Sequence, residues 1–160
     1  MNPSTTATQS VVPRTAQETA NVALVARFHT DGWGTSTNWH SVWREIMAPD
    51  LQHYFHGAEQ PVDGLEANIL FNERIFAGFP DIVPTIERVV AEGDQVVVLA
   101  RLAGTHTGEF LGAPASGRRL TVPDVTVFTV LNSKIVEYRY MTDLLKVMST
   151  IGAIAGAPAY

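Results

Sequence analysis

The sequence predicts an α+β fold, with helices packed on one face of a curved antiparallel sheet and room for an apolar cavity between the layers. Three observations carry this expectation. The helical periodicities come early, with only one short strand among them. Strand-like runs joined by turns fill Val89–Asp143. One short helix then closes the chain.

Thr15–Thr30 repeats Val22, Val25, Ala26 and Phe28 or His29 at spacings of three and four, a helical period. Thr15 with Glu18 fits a capping box, and Gly32 and Gly34 end the helix around Trp33. Asn38–Met47 is a second short helix with Trp39, Trp43, Ile46 and Met47 on one side, Asn38 or Thr37 as its cap, and Pro49-Asp50 as its stop. Leu51–His56 reads as a strand, with Tyr54 and His56 on one face and His53 and Phe55 on the other. After a loop containing Pro61 and Gly64, Leu65–Phe79 is the strongest helix, broken by Pro80-Asp81.

Ile82–Ala91 alternates weakly, and Pro84 suits an edge strand. Glu92-Gly93-Asp94 is a tight hairpin turn in which Gly supplies the positive φ. Gln95–Thr107 begins with a continuous apolar run that suggests burial on both faces. A Gly- and Pro-rich loop, 108–117, leads to a strand over Arg118–Leu131. The Asn132-Ser133 turn then leads to a last strand over Lys134–Thr142. Leu144–Ile151 is a helix stopped by Gly152. One domain is expected over 15–152, with tails at 1–14 and 153–160.

Composition narrows the function. The 160 residues are 46% hydrophobic and carry a formal net charge of -5 with no basic run, which argues against nucleic acid as a partner. There is no cysteine, so disulfides, thiol nucleophiles and zinc–thiolate sites are excluded. No apolar run approaches the ~20 residues of a membrane span. Met1–Arg14 lacks the apolar stretch of a signal peptide, so no membrane partner and a cytoplasmic location are expected. No His/carboxylate cluster suggests a metal, and no phosphate loop or nucleophile elbow is present.

Two passages carry a resemblance: FAGFPDIVPTIERVVAEGDQVVVLARLAGTHTGEFLGAPASGRRLTV and KIVEYRYMTDLLKVMSTIG. Gly104–Gly112 with Gly117-Arg118-Arg119 is its most specific part. Over roughly residues 40–152 the chain resembles the SnoaL-like polyketide cyclases of the NTF2-like superfamily. The resemblance implies a cone-shaped sheet with a deep pocket and a homodimer formed through the sheet. It also implies cofactor-free chemistry on a small hydrophobic, polyketide-like molecule: aldol-type cyclisation or isomerisation. Limonene-type epoxide hydrolysis and non-catalytic small-molecule binding are the alternatives in the same superfamily.

The family's last strand ends in H-W-D, where this chain has Tyr138-Arg139-Tyr140. The family carboxylate therefore falls on Tyr140, which can donate a hydrogen bond or simply form a wall. Asp143 matches a second family aspartate and also suits the N-cap of the closing helix. His56, by its spacing to the following turn, is favoured over His53 as a pocket acid or base. Asp124 shares a strand face with Thr126. If it points inward, burial raises its pKa and it can replace the carboxylate absent at 140. Arg101, in the middle of an apolar strand, would need a partner such as Asp124 or Glu137 if buried, and the pair could stabilise an oxyanion. Tyr54, His53, Trp39, Trp43, Phe71, Phe128 and Tyr138 are the expected substrate-binding residues. His106, inside the GTHTGEF turn, is read as structural.

Overall fold

The computed structural model describes residues 13–55 and 57–154. Among the described residues, four helices and six strands follow the order α1 (Ala16–Thr30), α2 (Trp39–Ile46), β1 (Met47–Phe55), β2 (Val62–Asp63), α3 (Leu65–Gly78), β3 (Val83–Glu92), β4 (Gln95–Thr105), β5 (Arg119–Leu131), β6 (Lys134–Thr142), α4 (Leu144–Ile151). The strands form one sheet, ordered β2-β1-β6-β5-β4-β3 and open at both edges. Four of its five pairings are antiparallel, as expected, but β1 runs parallel to β6.

Local chemistry builds most of these elements. At α1 the Thr15 hydroxyl accepts from Glu18 N at 3.1 Å, and Glu18 Oε2 accepts from Thr15 N at 2.8 Å. Glu18 Oε1 also accepts from Gly93 N at 3.0 Å, which ties the helix start to the β3–β4 turn. That turn has Gly93 at φ +59°, as the sequence requires. At the β5–β6 turn both Asn132 and Ser133 have positive φ, 49° and 59°, the condition for a type I′ hairpin. The α2 cap differs from expectation: the Asn38 side chain makes no capping bond, and its Oδ1 accepts from the Ser36 hydroxyl at 2.6 Å.

The first strand begins at Met47, four residues before the predicted start at Leu51, directly after α2. Met47 and Ala48 are buried, and Met47 pairs with Ile135 of β6. The register shifts between Met47 and Gln52, which accommodates Pro49, a residue with no N–H for a regular ladder. In β4 burial alternates: Val96, Val98, Ala100 and Leu102 point inward, while Val97 and Leu99 are only half-buried. The continuous apolar run thus marks one packed face and one partly covered face, not two buried ones.

The GTHTGEF passage is structural. Thr107 N and Gly108 N both donate to Gly78 O at the end of α3. A Cβ on Gly108 would lie 2.0 Å from Ala77 O, so only glycine fits there. Buried His106 accepts from Ser116 N at Nδ1, which closes the loop back on itself. Asp81, the D of FPD, accepts from Thr105 N at 2.6 Å and from its hydroxyl at 2.8 Å. No helix among the described residues is long and apolar enough to cross a membrane.

Candidate active site

The inward face of the sheet can be read as a lattice of rows. Across β4, β5 and β6 the paired residues are Val96, Phe128 and Tyr138, then Val98, Thr126 and Tyr140, then Ala100, Asp124 and Thr142. On β6's other side, β1 places His53 beside Tyr138 and Phe55 beside Tyr140. The rings confirm these rows. His53 stacks on Tyr138 at 4.1 Å and 17°, and Phe55 lies parallel to Tyr140 at 5.6 Å and 3°.

Over this face lies a cavity of about 480 Å³, counted with the space that opens to solvent. His53, Phe55, Thr126, Tyr138 and Tyr140 form its floor, and Phe28, Trp33, Asn72, Ile75 and Phe76 of the helical layer form its roof. A second lobe of about 350 Å³ shares Phe55, Ile75, Ile82, Leu102 and Tyr140 and reaches Leu144 and Val147 of α4. Asp124 is not itself in either wall. Its neighbours are: Thr126 and Tyr140 in the first lobe, Val122 and Thr142 in the second.

Asp124 is 3% exposed and faces inward. Its Oδ2 accepts from the Thr126 hydroxyl at 3.1 Å, and its Oδ1 is buried with no partner. Burial pushes its pKa up to about 7, only partly opposed by the Thr126 bond. The tyrosines are held neutral for the same reason. Desolvation drives the Tyr138 and Tyr140 phenols upward, and the Asp124 charge adds to the effect at Tyr140. Both are hydrogen-bond donors rather than bases. Asn72 Nδ2 donates to the Tyr138 oxygen at 3.2 Å.

The remaining predicted residues divide. His53, 2% exposed, is in the wall, whereas the favoured His56 lies outside the described residues. Tyr54 faces away: the Arg139 guanidinium sits 3.9 Å above its ring on the other side of the sheet. Trp39, Trp43 and Phe128 are core beside the cavity rather than wall. Phe71 packs edge-on against His53 and Phe55 and lines an outer groove with Arg74 and Leu111. Arg101 is a correction. It has the opposite parity to Ala100 and Leu102, so it is exposed on the outer face, where it bonds Glu87 at 2.7 Å. Neither Asp124 nor Glu137 is its partner, and it cannot reach the cavity to stabilise an oxyanion.

Asp143 is exposed and caps α4, accepting from Lys146 N at 2.9 Å. Asp143→Ala is expected to cost about 1 kcal/mol of stability, read by urea denaturation, with turnover unchanged. A fall in turnover at full folding would place Asp143 back in the chemistry.

Phe28, Asn68 and Asn72 were missed. Asn68, Asn72 and Phe76 follow at i, i+4 and i+8 on the apolar side of α3, and a polar residue repeated on a packed helical face was the available signal.

Comparison with known proteins now decides the family. The model for SnoaL-like polyketide cyclases matches residues 23–151. The chain belongs to the SnoaL-like polyketide cyclase family. A crystal structure of a candidate SnoaL-like cyclase from Jannaschia sp. CCS1 is 47% identical, with a TM-score of 0.86 over 89% of this chain and 99% of that one. IdmH, a candidate polyketide cyclase from Streptomyces antibioticus, is 26% identical, with a TM-score of 0.69 over 82% of this chain and 98% of its own. AclR, a candidate hydroxylase from Streptomyces galilaeus, is 21% identical with a TM-score of 0.69, covering 88% of this chain and 86% of its own, and shares the fold. No functionally curated protein matches. In this SnoaL-like chain the buried carboxylate stands on β5, one strand over from the β6 position that Tyr140 occupies.

Proposed function

We propose that the chain is a cofactor-independent acid/base enzyme that cyclises or isomerises a small hydrophobic, polyketide-like molecule through an enolate. The observation that carries this reading is Asp124, a carboxyl poised near neutrality beside the phenol-lined cavity. The Thr126 hydroxyl, in the cavity wall, takes a proton from a carbon next to a carbonyl and passes its own to the Asp124 carboxylate behind it, to which it is already hydrogen-bonded. The Tyr140 phenol donates to the enolate oxygen that forms. In a cyclisation the enolate carbon bonds a second carbonyl carbon, and the resulting alkoxide recovers the proton from the Asp124 acid by the same Thr126 relay. In an isomerisation the same acid returns it to a different carbon. Tyr140 is a donor in both.

Epoxide hydrolysis fits less well. The Arg–Asp pair it would use is divided between the two faces of the sheet, with Arg101 held by Glu87. Exchange of the α-protons of β-tetralone in deuterated buffer, followed by NMR, tests the reading. The wild type is expected to exceed the buffer rate, and Asp124→Asn to fall back to it. Wild-type exchange no faster than buffer would leave the binding reading.

The outer sheet face supports a homodimer. Val83, Val90 and Met141 are exposed there, next to half-buried Val97, Leu99, Val125 and Val127. Light scattering of the wild type is expected to give twice the chain mass, and Val90→Lys with Met141→Glu to give a monomer.

A further inference from the structure

The wall histidine is held by an unusual neighbour. Asn68 is 0% exposed on the first turn of α3, and its side chain is enclosed by carbonyls from the β1–β2 hairpin. Its Nδ2 lies 2.8 Å from Val62 O, 2.9 Å from Gly64 O and 3.4 Å from Leu51 O. An amide oxygen turned toward those three oxygens would repel them and could bond none, so the amide orientation is settled by chemistry. Oδ1 then faces His53 Nδ1 at 3.1 Å. An amide oxygen only accepts, so His53 Nδ1 must carry the hydrogen. In the neutral ring, Nε2 is then the proton-accepting nitrogen.

We propose that Asn68 is a positioning residue: it holds His53 in the Nδ1–H tautomer and makes Nε2 the atom through which the histidine exchanges protons at the cavity. The hairpin is shaped for the task. Gly64, at φ +88°, turns the chain so that its N–H bonds Leu51 O at 2.8 Å while its own carbonyl meets Asn68. The ring cannot rotate to another partner, since it stacks on Tyr138 at 4.1 Å and meets Phe55 and Phe71 edge-on. Histidine in water prefers Nε2–H, so the inverted tautomer is a signature that Asn68 imposes.

This role rests on the acid/base reading, but the tautomer does not. The test uses the full chain with ¹⁵N-labelled histidine and long-range ¹⁵N–¹H spectra, His53 being assigned by its loss in His53→Gln. In the wild type, at a pH where the ring is neutral, Nδ1 is expected to give the hydrogen-bearing signal and Nε2 the bare one. Asn68→Leu should reverse this pattern and slow β-tetralone exchange through kcat, with KM unchanged. Asn68→Gln, which keeps both the amide donors and an acceptor oxygen, should retain Nδ1–H and covers the case in which the Leu variant does not fold. A wild-type spectrum with hydrogen on Nε2 overturns the proposal, as does a reversed tautomer with unchanged exchange. If the wild type catalyses no exchange, the enolisation reading fails while the spectrum still decides the role of Asn68 in setting the ring.

Discussion

Asp124→Asn is expected to lower catalysed α-proton exchange by about 10²–10⁴-fold, the usual contribution of a positioned general base, and to stabilise the protein above neutral pH. Both effects have one origin. Burial pushes the carboxyl up to about 7 in the folded chain, from the ordinary 3.8 that the unfolded chain keeps. Below the lower value, folded and unfolded chains both hold the proton and nothing is lost. Between the two values the unfolded chain releases its proton while the folded chain keeps it, so rising pH favours unfolding. Above about 7 the loss is complete, and on a shift of this size it amounts to about 4 kcal/mol. Asparagine has no proton to lose. Urea denaturation at about pH 5 and about pH 8 should therefore show the wild type weakening with pH relative to the variant. Glu18 and Asp81 are depressed by hydrogen bonds and lose their contribution on the acid side, but they are common to both proteins and cancel in the difference. Parallel stability curves would mean that Asp124 is ionised in the fold at neutral pH, and the base assignment would then lose its physical footing.

The legible parts of this chain are those whose cause is local. Thr15 with Glu18, Gly93, Asn132-Ser133, and Asp143 with Gly152 each specify an end or a turn by their own backbone chemistry, and each stands where the sequence placed it. The parallel β1–β6 pairing and the two-residue β2 depend on partners more than eighty residues and about ten residues away in the chain, and no local signal encodes them. At the site the same distinction applies. Asp124 was readable because a carboxylate in an alternating apolar strand is conspicuous and its face is shared with Thr126 and Phe128. Arg101 misled because the apolar run before it, Val96–Leu99, hides which parity is packed; only the register against β5 shows it. For Tyr54 and His53 the alternation was right, but which face met the cavity required knowing that Leu51 is core. The i, i+4 repeat of Asn68 and Asn72 could have marked Asn68 as a buried polar residue, but not its task, which lies in three backbone carbonyls whose convergence a sequence does not display.

Trp43→Ala is expected to cost about 3–5 kcal/mol, the largest loss of stability from a single side chain proposed for this protein. Trp43 is 0% exposed and sits where α1, α2 and the sheet meet: its ring packs on Phe28 at 5.6 Å, Trp39 at 5.0 Å and Tyr138 at 6.3 Å. Its Nε1 donates to Gly32 O at 2.6 Å, which pins the turn after α1 to α2. The fit there leaves no slack, since a Cβ on Gly32 would lie 2.8 Å from Phe28 O and 3.1 Å from the indole nitrogen. Alanine removes the packing and the bond together, and a gap bounded by three other rings does not collapse easily. For a domain of this size the midpoint of thermal unfolding should fall by about 10 °C. Trp43→Phe separates the two contributions. It keeps most of the ring contact and leaves Gly32 O without its donor, so its cost should be nearer 1–3 kcal/mol. Because Trp43 is in neither cavity wall, both variants should retain wild-type exchange when assayed cold and fully folded. A folded Trp43→Phe with a raised KM would show that the ligand reaches deeper than the cavity walls and would return Trp43 to the binding residues. A loss below about 1 kcal/mol for Trp43→Ala would mean that the three elements are held together elsewhere.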